Sequence, residues 1–145
     1  LWLERELEGV FENYHVVRLP GLFGVGLKKN ILFDLLCENI LEKINLKSSF
    51  QWYPLSRVWQ DIETIISNNL PLVNLAVEPI SNFKIKEQFF NDLNVGCEPL
   101  PEVHYDMHTS FSGKFKSQHN NYLLTADEVL NELSVWLEKP EVKCE

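Results

Sequence analysis

His15-Val-Val-Arg-Leu-Pro-Gly-Leu-Phe-Gly-Val-Gly-Leu-Lys-Lys-Asn30 decides how this chain is read. Residues 15–19 are a short β-branched run with the character of a buried strand. Pro20-Gly21 breaks that run, and Gly21, Gly24 and Gly26 follow closely before Lys28-Lys29 and an apolar helical segment. Open α/β sheets build ligand sites in this way, where a strand enters a glycine-rich turn and leaves into a helix. The turn does not fit a nucleotide loop. Its spacing is Gly21-x-x-Gly24-x-Gly26, and no acidic residue closes a second strand about 20 residues later, as a dinucleotide fingerprint requires. Leu27 also follows Gly26 where a P-loop needs lysine. Two readings remain: a tight turn that needs positive φ at one or more glycines, or a turn beside a cofactor held mainly by other residues. Lys28 and Lys29 lie where ligands sit in such folds, before a helix N-terminus, and suit a solvated surface equally well.

Working outward, Leu3, Leu7, Val10, Phe11 and Tyr14 share one face of a helix expected over roughly 1–13, with Glu4, Arg5, Glu6 and Glu8 outward. The pattern starts at Leu1 with no capping residue before it, so the chain is expected to be a fragment of a longer protein. Beyond the turn, Asn30 is placed to cap a helix in which Leu32, Leu35, Leu36, Ile40 and Ile44 share a face. Phe50-Gln-Trp-Tyr53 has aromatic strand character and stops at Pro54. Ser56 opens a helix with Leu55, Val58, Trp59, Ile62, Ile65 and Ile66 at helical spacing, and Asn68-Asn69 ends it. Residues 70–76 predict another buried strand, and Ser81 a cap for a helix carrying Ile85, Phe89 and Phe90. Residues 91–121 have no period and predict a long loop. Thr125-Ala-Asp-Glu128 is a capping box that opens a last helix with Val129, Leu130, Leu133, Trp136 and Leu137 on its buried face. Strands alternating with helices predict βα units and a mostly parallel sheet. About three strands are legible, fewer than the usual five or six, which predicts a half-sheet with open edges.

The 145 residues suit a single domain. A net charge of -8 argues against general binding to nucleic acid or anionic membranes. There is neither an apolar run of membrane-spanning length nor a signal peptide. Cys37, Cys97 and Cys144 show no close pairing, and an odd count without a secretory signal predicts reduced thiols and a cytoplasmic home.

No self-sufficient catalytic set is visible. His104-Tyr-Asp-Met-His108 puts three possible metal ligands on one face of an extended segment, enough for an open zinc site, but without H-E-x-x-H or a cysteine pair loop packing is preferred. Tyr14 and Tyr53 each have arginine four residues on, and no Tyr-x-x-x-Lys occurs. There is no G-x-S-x-G elbow and no recognisable cysteine–histidine arrangement.

The order of three segments resembles a family. Val17-Arg18-Leu-Pro-Gly-Leu-Phe23-Gly24 is similar to the Arg-x-x-Asn-x-Tyr-Gly-Pro segment of extended short-chain dehydrogenases, the NAD-dependent nucleotide-sugar epimerase, dehydratase and reductase group. Leu1-Trp-Leu-Glu-Arg-Glu-Leu-Glu8 resembles the helix after that family's Tyr-x-x-x-Lys. The stretch from Phe50 to Ile62 is similar to its Arg-Asp-Tyr-x-x-Val-x-Asp segment, and that from Leu72 to Ser81 to its Tyr-Asn-x-Gly-x-Gly-x-x-x-Ser segment. Gly21, Val25 and Arg57 depart from the family's Asn, Pro and Asp, and the last part of the chain matches none of its landmarks. The resemblance implies the C-terminal part of a Rossmann-like parallel sheet plus a small α/β substrate-binding lobe, a single fragment over 1–145. The dinucleotide loop and the catalytic Tyr-x-x-x-Lys would lie upstream. It implies NAD or NADP near Leu19, Pro20 and Gly21, and a nucleotide-sugar near Lys28, Lys29, Asn30, Gln51 and Tyr53. A homodimer through the first helix is a further implication. The rival reading is a stand-alone, non-catalytic α/β interaction module.

Overall fold

The computed structural model describes residues 2–117, 119 and 121–144, apart from the side chain of Glu8. Leu1, from which the first helix was expected to run, lies outside the described residues.

Two extended segments run side by side through the molecule. The first holds β1 (Val16–Arg18) and β2 (Gly21–Phe23), and the second holds β3 (Ser49–Phe50) and β4 (Trp52–Pro54). β2 and β4 pair in parallel, with Gly21 opposite Trp52 and Phe23 opposite Pro54. β1 pairs in parallel with β5 (Leu72–Asn74). β3 pairs antiparallel with β6 (Ile80–Ser81). Pro20, which has no N–H to give a ladder, stands at the break between β1 and β2. The expected mostly parallel sheet is therefore divided into three two-stranded pairs, two of them parallel. The chain is mixed α/β.

Gly21 belongs to a strand, not to the turn. A Cβ there would come within 2.9 Å of both the Gln51 carbonyl oxygen and the Trp52 ring, so glycine is needed for close approach. The positive φ expected of the turn falls on Gly24 (146°) and Gly26 (85°).

The local helix signals hold where they rest on caps. Asn30 accepts from the Phe33 N–H at the start of α2 (Ile31–Leu36), and Ser81 accepts from the Lys84 N–H at the start of α4 (Asn82–Phe89). Thr125 and Glu128 form a reciprocal capping box on α5 (Ala126–Leu137). α2 ends well before Ile44, because Glu38 adopts a left-handed conformation (φ 51°) just past the Cys37 C-cap and the Asn39 N–H closes back on the Asp34 carbonyl. The core gathers Leu32 and Leu35 of α2, Val73 of β5, Ile85 of α4 and Val129 and Leu133 of α5 around Tyr53.

Two apolar faces differ from expectation. On α1 (Trp2–Val10), Leu3 and Val10 are exposed, as are Trp2 and Phe11 beside them. Glu4, expected outward, instead accepts two hydrogen bonds from the Arg18 guanidinium at 2.9 and 2.7 Å. α1 thus lies over β1 through a polar contact and leaves Leu3 and Val10 of its apolar stripe open, with Leu7 half-buried. On α3 (Val58–Ser67), Trp59 and Ile66 are exposed while Asp61 is buried with Ile65.

The expectation of three reduced thiols also fails. Cys37, at the C-cap of α2, is joined to Cys144 across a sequence separation of 107, with the Cα atoms 5.3 Å apart. Only the fold brings the two into bonding range, so no local spacing reports the pair. This removes the cysteine argument for a cytoplasmic home. Cys97 is an exposed free thiol. Among the described residues no helix is long and apolar enough to cross a membrane.

The described residues of the segment 91–121 are irregular apart from a tight turn over Ser112–Phe115, yet they are tied down. The Gly96 N–H donates to Leu41, the Ser49 N–H to Val103 and the Tyr105 N–H to Ser49, so this loop returns alongside β3.

Candidate functional site

A cavity of about 450 Å³ opens where the two extended segments change partners. Leu19, Pro20 and Gly21 line it from the β1–β2 bend, Asn30 and Ile31 from the start of α2, and Phe50, Gln51 and Trp52 from β3 and β4. Tyr105 and Met107 of the returning loop close one side. Apolar walls with a few placed polar groups are what small-molecule sites have in common. None of these lining side chains is charged, and Tyr105 supplies the one hydroxyl among them.

The aromatic wall is continuous. The Phe50 ring lies 5.9 Å from that of Trp52 and 5.5 Å from that of Tyr105, between centroids. Trp52 is buried, and its indole N–H has no hydrogen-bond partner in the described structure. An unmet buried donor costs about 1–3 kcal/mol, and this nitrogen is itself buried rather than open to the cavity.

Gln51 holds the cavity's shape. It is 2% exposed, and its amide is fully engaged. Nε2 donates to the carbonyls of Val77 and Met107, and Oε1 accepts from the Met107 N–H at 2.7 Å. One side chain therefore takes over the role of a ladder and fastens the loop to the sheet.

Asn30 has two tasks. Its Oδ1 accepts from the Phe33 N–H at 3.1 Å as the α2 cap, and its Nδ2 donates to the Leu22 carbonyl at 2.9 Å. To do both, it adopts φ 145° and ψ -178°, a region essentially reserved for glycine. Strain of that kind, about 1–3 kcal/mol, gathers at ligand sites.

Leu19, Pro20, Gly21, Asn30 and Gln51, picked from separate stretches of sequence, thus share one cavity. Lys28 lines a second, more polar groove of about 790 Å³ with Cys37, Glu38, Asn39, Glu141 and Lys143. Lys29 is exposed and lines neither. Tyr53 does not reach the cavity. Successive strand residues face opposite sides, so Trp52 takes the cavity side and Tyr53 the core. The Tyr53 hydroxyl donates to Asp61 Oδ2 at 2.6 Å, and Arg57 lies 3.6 Å from the other Asp61 oxygen. Burial first, and the Asp61 carboxylate next, raise the phenol above its usual range.

The segment 104–108 does alternate, as its sequence predicts, but Tyr105 and Met107 are the residues that face the cavity. His104 is held by Ser49 Oγ at Nδ1 (2.8 Å) and by Glu102 at Nε2 (2.7 Å). His108 Nε2 lies 3.1 Å from the Tyr122 hydroxyl and 3.2 Å from Asp106, and Tyr122 donates to Asp106 at 2.6 Å. Desolvation, then that carboxylate, push Tyr122 up to about 12. Among the described residues no group of three or more His, Cys, Asp or Glu is arranged to hold a metal ion.

Sequence reasoning missed Ile31, Phe50, Trp52, Tyr105 and Met107 as wall residues. For the last two the signal was available: the alternation used for the histidines assigns the intervening residues to the opposite face.

Comparison with protein-family models, with curated proteins and with solved structures gives no match.

Proposed function

We propose that this chain is the substrate side of an NAD(P)-dependent nucleotide-sugar epimerase, dehydratase or reductase. One observation carries the reading. The residues its resemblance assigns to the nicotinamide side, Leu19, Pro20 and Gly21, line the same cavity as Asn30 and Gln51, assigned to the substrate side. Apolar walls around a hydride-transfer site exclude water, and Leu19, Pro20 and the Phe50–Trp52–Tyr105 wall supply them. The chain has no catalytic tyrosine–lysine pair of its own, so in this reading a preceding segment brings that pair and the dinucleotide loop. In this reading a Rossmann-like sheet continues past β1, and Lys28 and Lys29, which lie outside the cavity, are not assigned to the phosphates.

The open apolar stripe of α1 favours a second reading, a non-catalytic α/β interaction module. In the enzyme reading the same stripe is a dimer surface. Titration with NADH and with a nucleotide-sugar, followed by the fluorescence of cavity-lining Trp52, separates the two. A saturable change with Kd at or below about 1 mM, abolished in Trp52→Phe, supports the enzyme reading. No saturable change, together with an upstream coding sequence lacking Tyr-x-x-x-Lys, leaves the interaction module.

A further inference from the structure

We propose that the Cys37–Cys144 disulfide is a reversible strap, which holds the carboxyl-terminal segment across the Lys28 groove until thiol–disulfide exchange releases it. This inference does not rest on the proposed function. Leu137 of α5 still packs against the core, but residues 138–144 beyond it are irregular. The backbone hydrogen bonds described for that segment are both local: Lys139 N–H to Trp136, and Val142 N–H to Pro140. Among the described residues, the covalent tie from this segment to the body of the protein is the sulfur pair. Glu141 and Lys143 of the strap face Lys28 and Glu38 across the groove, so releasing the strap removes one wall.

The two sulfurs are unequal. Cys144 is exposed and Cys37 only half-buried, which leaves the Cys144 side open to a dithiol reductant. One thiolate of the dithiol attacks Cys144 Sγ, the S–S bond breaks, and Cys37 leaves as a thiolate that takes a proton. The second thiol resolves the mixed disulfide and frees Cys144 as its thiol. In sum, two electrons and two protons pass to the protein, and the dithiol becomes a disulfide.

The test uses the full chain, equilibrated with oxidised glutathione or with dithiothreitol and digested with a glutamate-specific protease. Cleavage at Glu138 and Glu141 is followed by mass after quenching and reduction, with Glu63 in α3 and Glu87 in α4 as internal references. The expected result is cleavage at Glu138 and Glu141 about tenfold faster in the reduced chain, with Glu63 and Glu87 unchanged. Cys144→Ser should behave as reduced in both buffers, and Cys97→Ser as wild type. Equal tail cleavage in the two redox states overturns the proposal. So does a rise at Glu63 and Glu87 together with the tail, which makes the bond a staple of the whole fold. So does an oxidised sample that keeps three free thiols.

Discussion

Replacing Tyr53 by phenylalanine keeps the ring in the core and removes one hydroxyl. That hydroxyl donates at 2.6 Å to Asp61, and both residues are buried, at 0% and 2% exposure. A hydrogen bond to a buried charge contributes about 1.5–3 kcal/mol, and its loss leaves one Asp61 oxygen unmet. Arg57, 3.6 Å from the other oxygen, offsets part of that. The expected loss at pH 7 is about 2 kcal/mol, or roughly 6–8 °C in Tm for a chain of this size. The pH dependence supplies a sharper check. Tyrosine in the unfolded chain ionises near pH 10, and burial and Asp61 raise Tyr53 above that. Above about pH 10 the folded protein keeps a proton that the unfolded chain has lost, so its stability falls by about 1.4 kcal/mol per pH unit. The contribution is fully present below pH 10 and is lost as pH climbs towards the folded value. Tyr53→Phe has no such proton, so the gap of about 2 kcal/mol should close by about pH 11.5. Urea unfolding of both proteins, read by tryptophan fluorescence from pH 7 to 11.5, measures this. Tyr122 titrates high in both proteins and cancels in the difference. A gap below about 0.5 kcal/mol at pH 7 refutes the account, as does one that stays constant to pH 11.5.

Two further changes probe the cavity. Asn30→Ala removes the α2 cap and the bond to Leu22 while keeping a Cβ at φ 145°, and should cost about 2 kcal/mol. Asn30→Gly relieves the backbone and should fall within about 0.5 kcal/mol of wild type in the same urea assay; equal losses for the two would remove the strain argument. Gln51→Leu deletes two hydrogen bonds to the loop at Met107 and one to the Val77 carbonyl, and should cost about 2–4 kcal/mol. Hydrogen exchange at the Tyr105 and Met107 amides should then accelerate well beyond that in α5, and uniform acceleration would show that Gln51 does not position the loop.

Local signals were legible in the sequence, and long-range ones were not. The Thr125–Glu128 box, the Ser81 cap and the Asn30 cap are contacts within four residues, and each formed where its residues predict. Periodicity identified α1 and α3 as helices without identifying what each face covers. Asp61 takes an inward position on α3 because Tyr53, eight residues earlier on β4, offers it a donor there. Trp59 and Ile66 are then left outside. The parallel pairings of β1 with β5 and β2 with β4 follow the βα pattern. Their division into separate pairs reflects Pro20 and the turning-in of Gln51, whose side chain bonds across 26 residues to Val77. The disulfide, over a separation of 107, is the extreme case.

The position of the cavity follows from the same interruptions. Where Pro20 has no N–H to give and Gln51 is drawn away to the loop, the two extended segments each exchange one partner strand for another. A sheet that changes partners on both sides at one level cannot close its ladder there, and the gap must be filled by side chains or by something bound. Gly21 keeps the segments close, its missing Cβ leaving room for the Gln51 carbonyl and the Trp52 ring. The filling is incomplete: about 450 Å³ remains, and Asn30 is held in a glycine-like conformation at its edge. A structural plug needs no backbone strain at its rim. A ligand packed on Phe50 and Tyr105 would fill that gap, which is why the proposed function is placed at this break in the sheet.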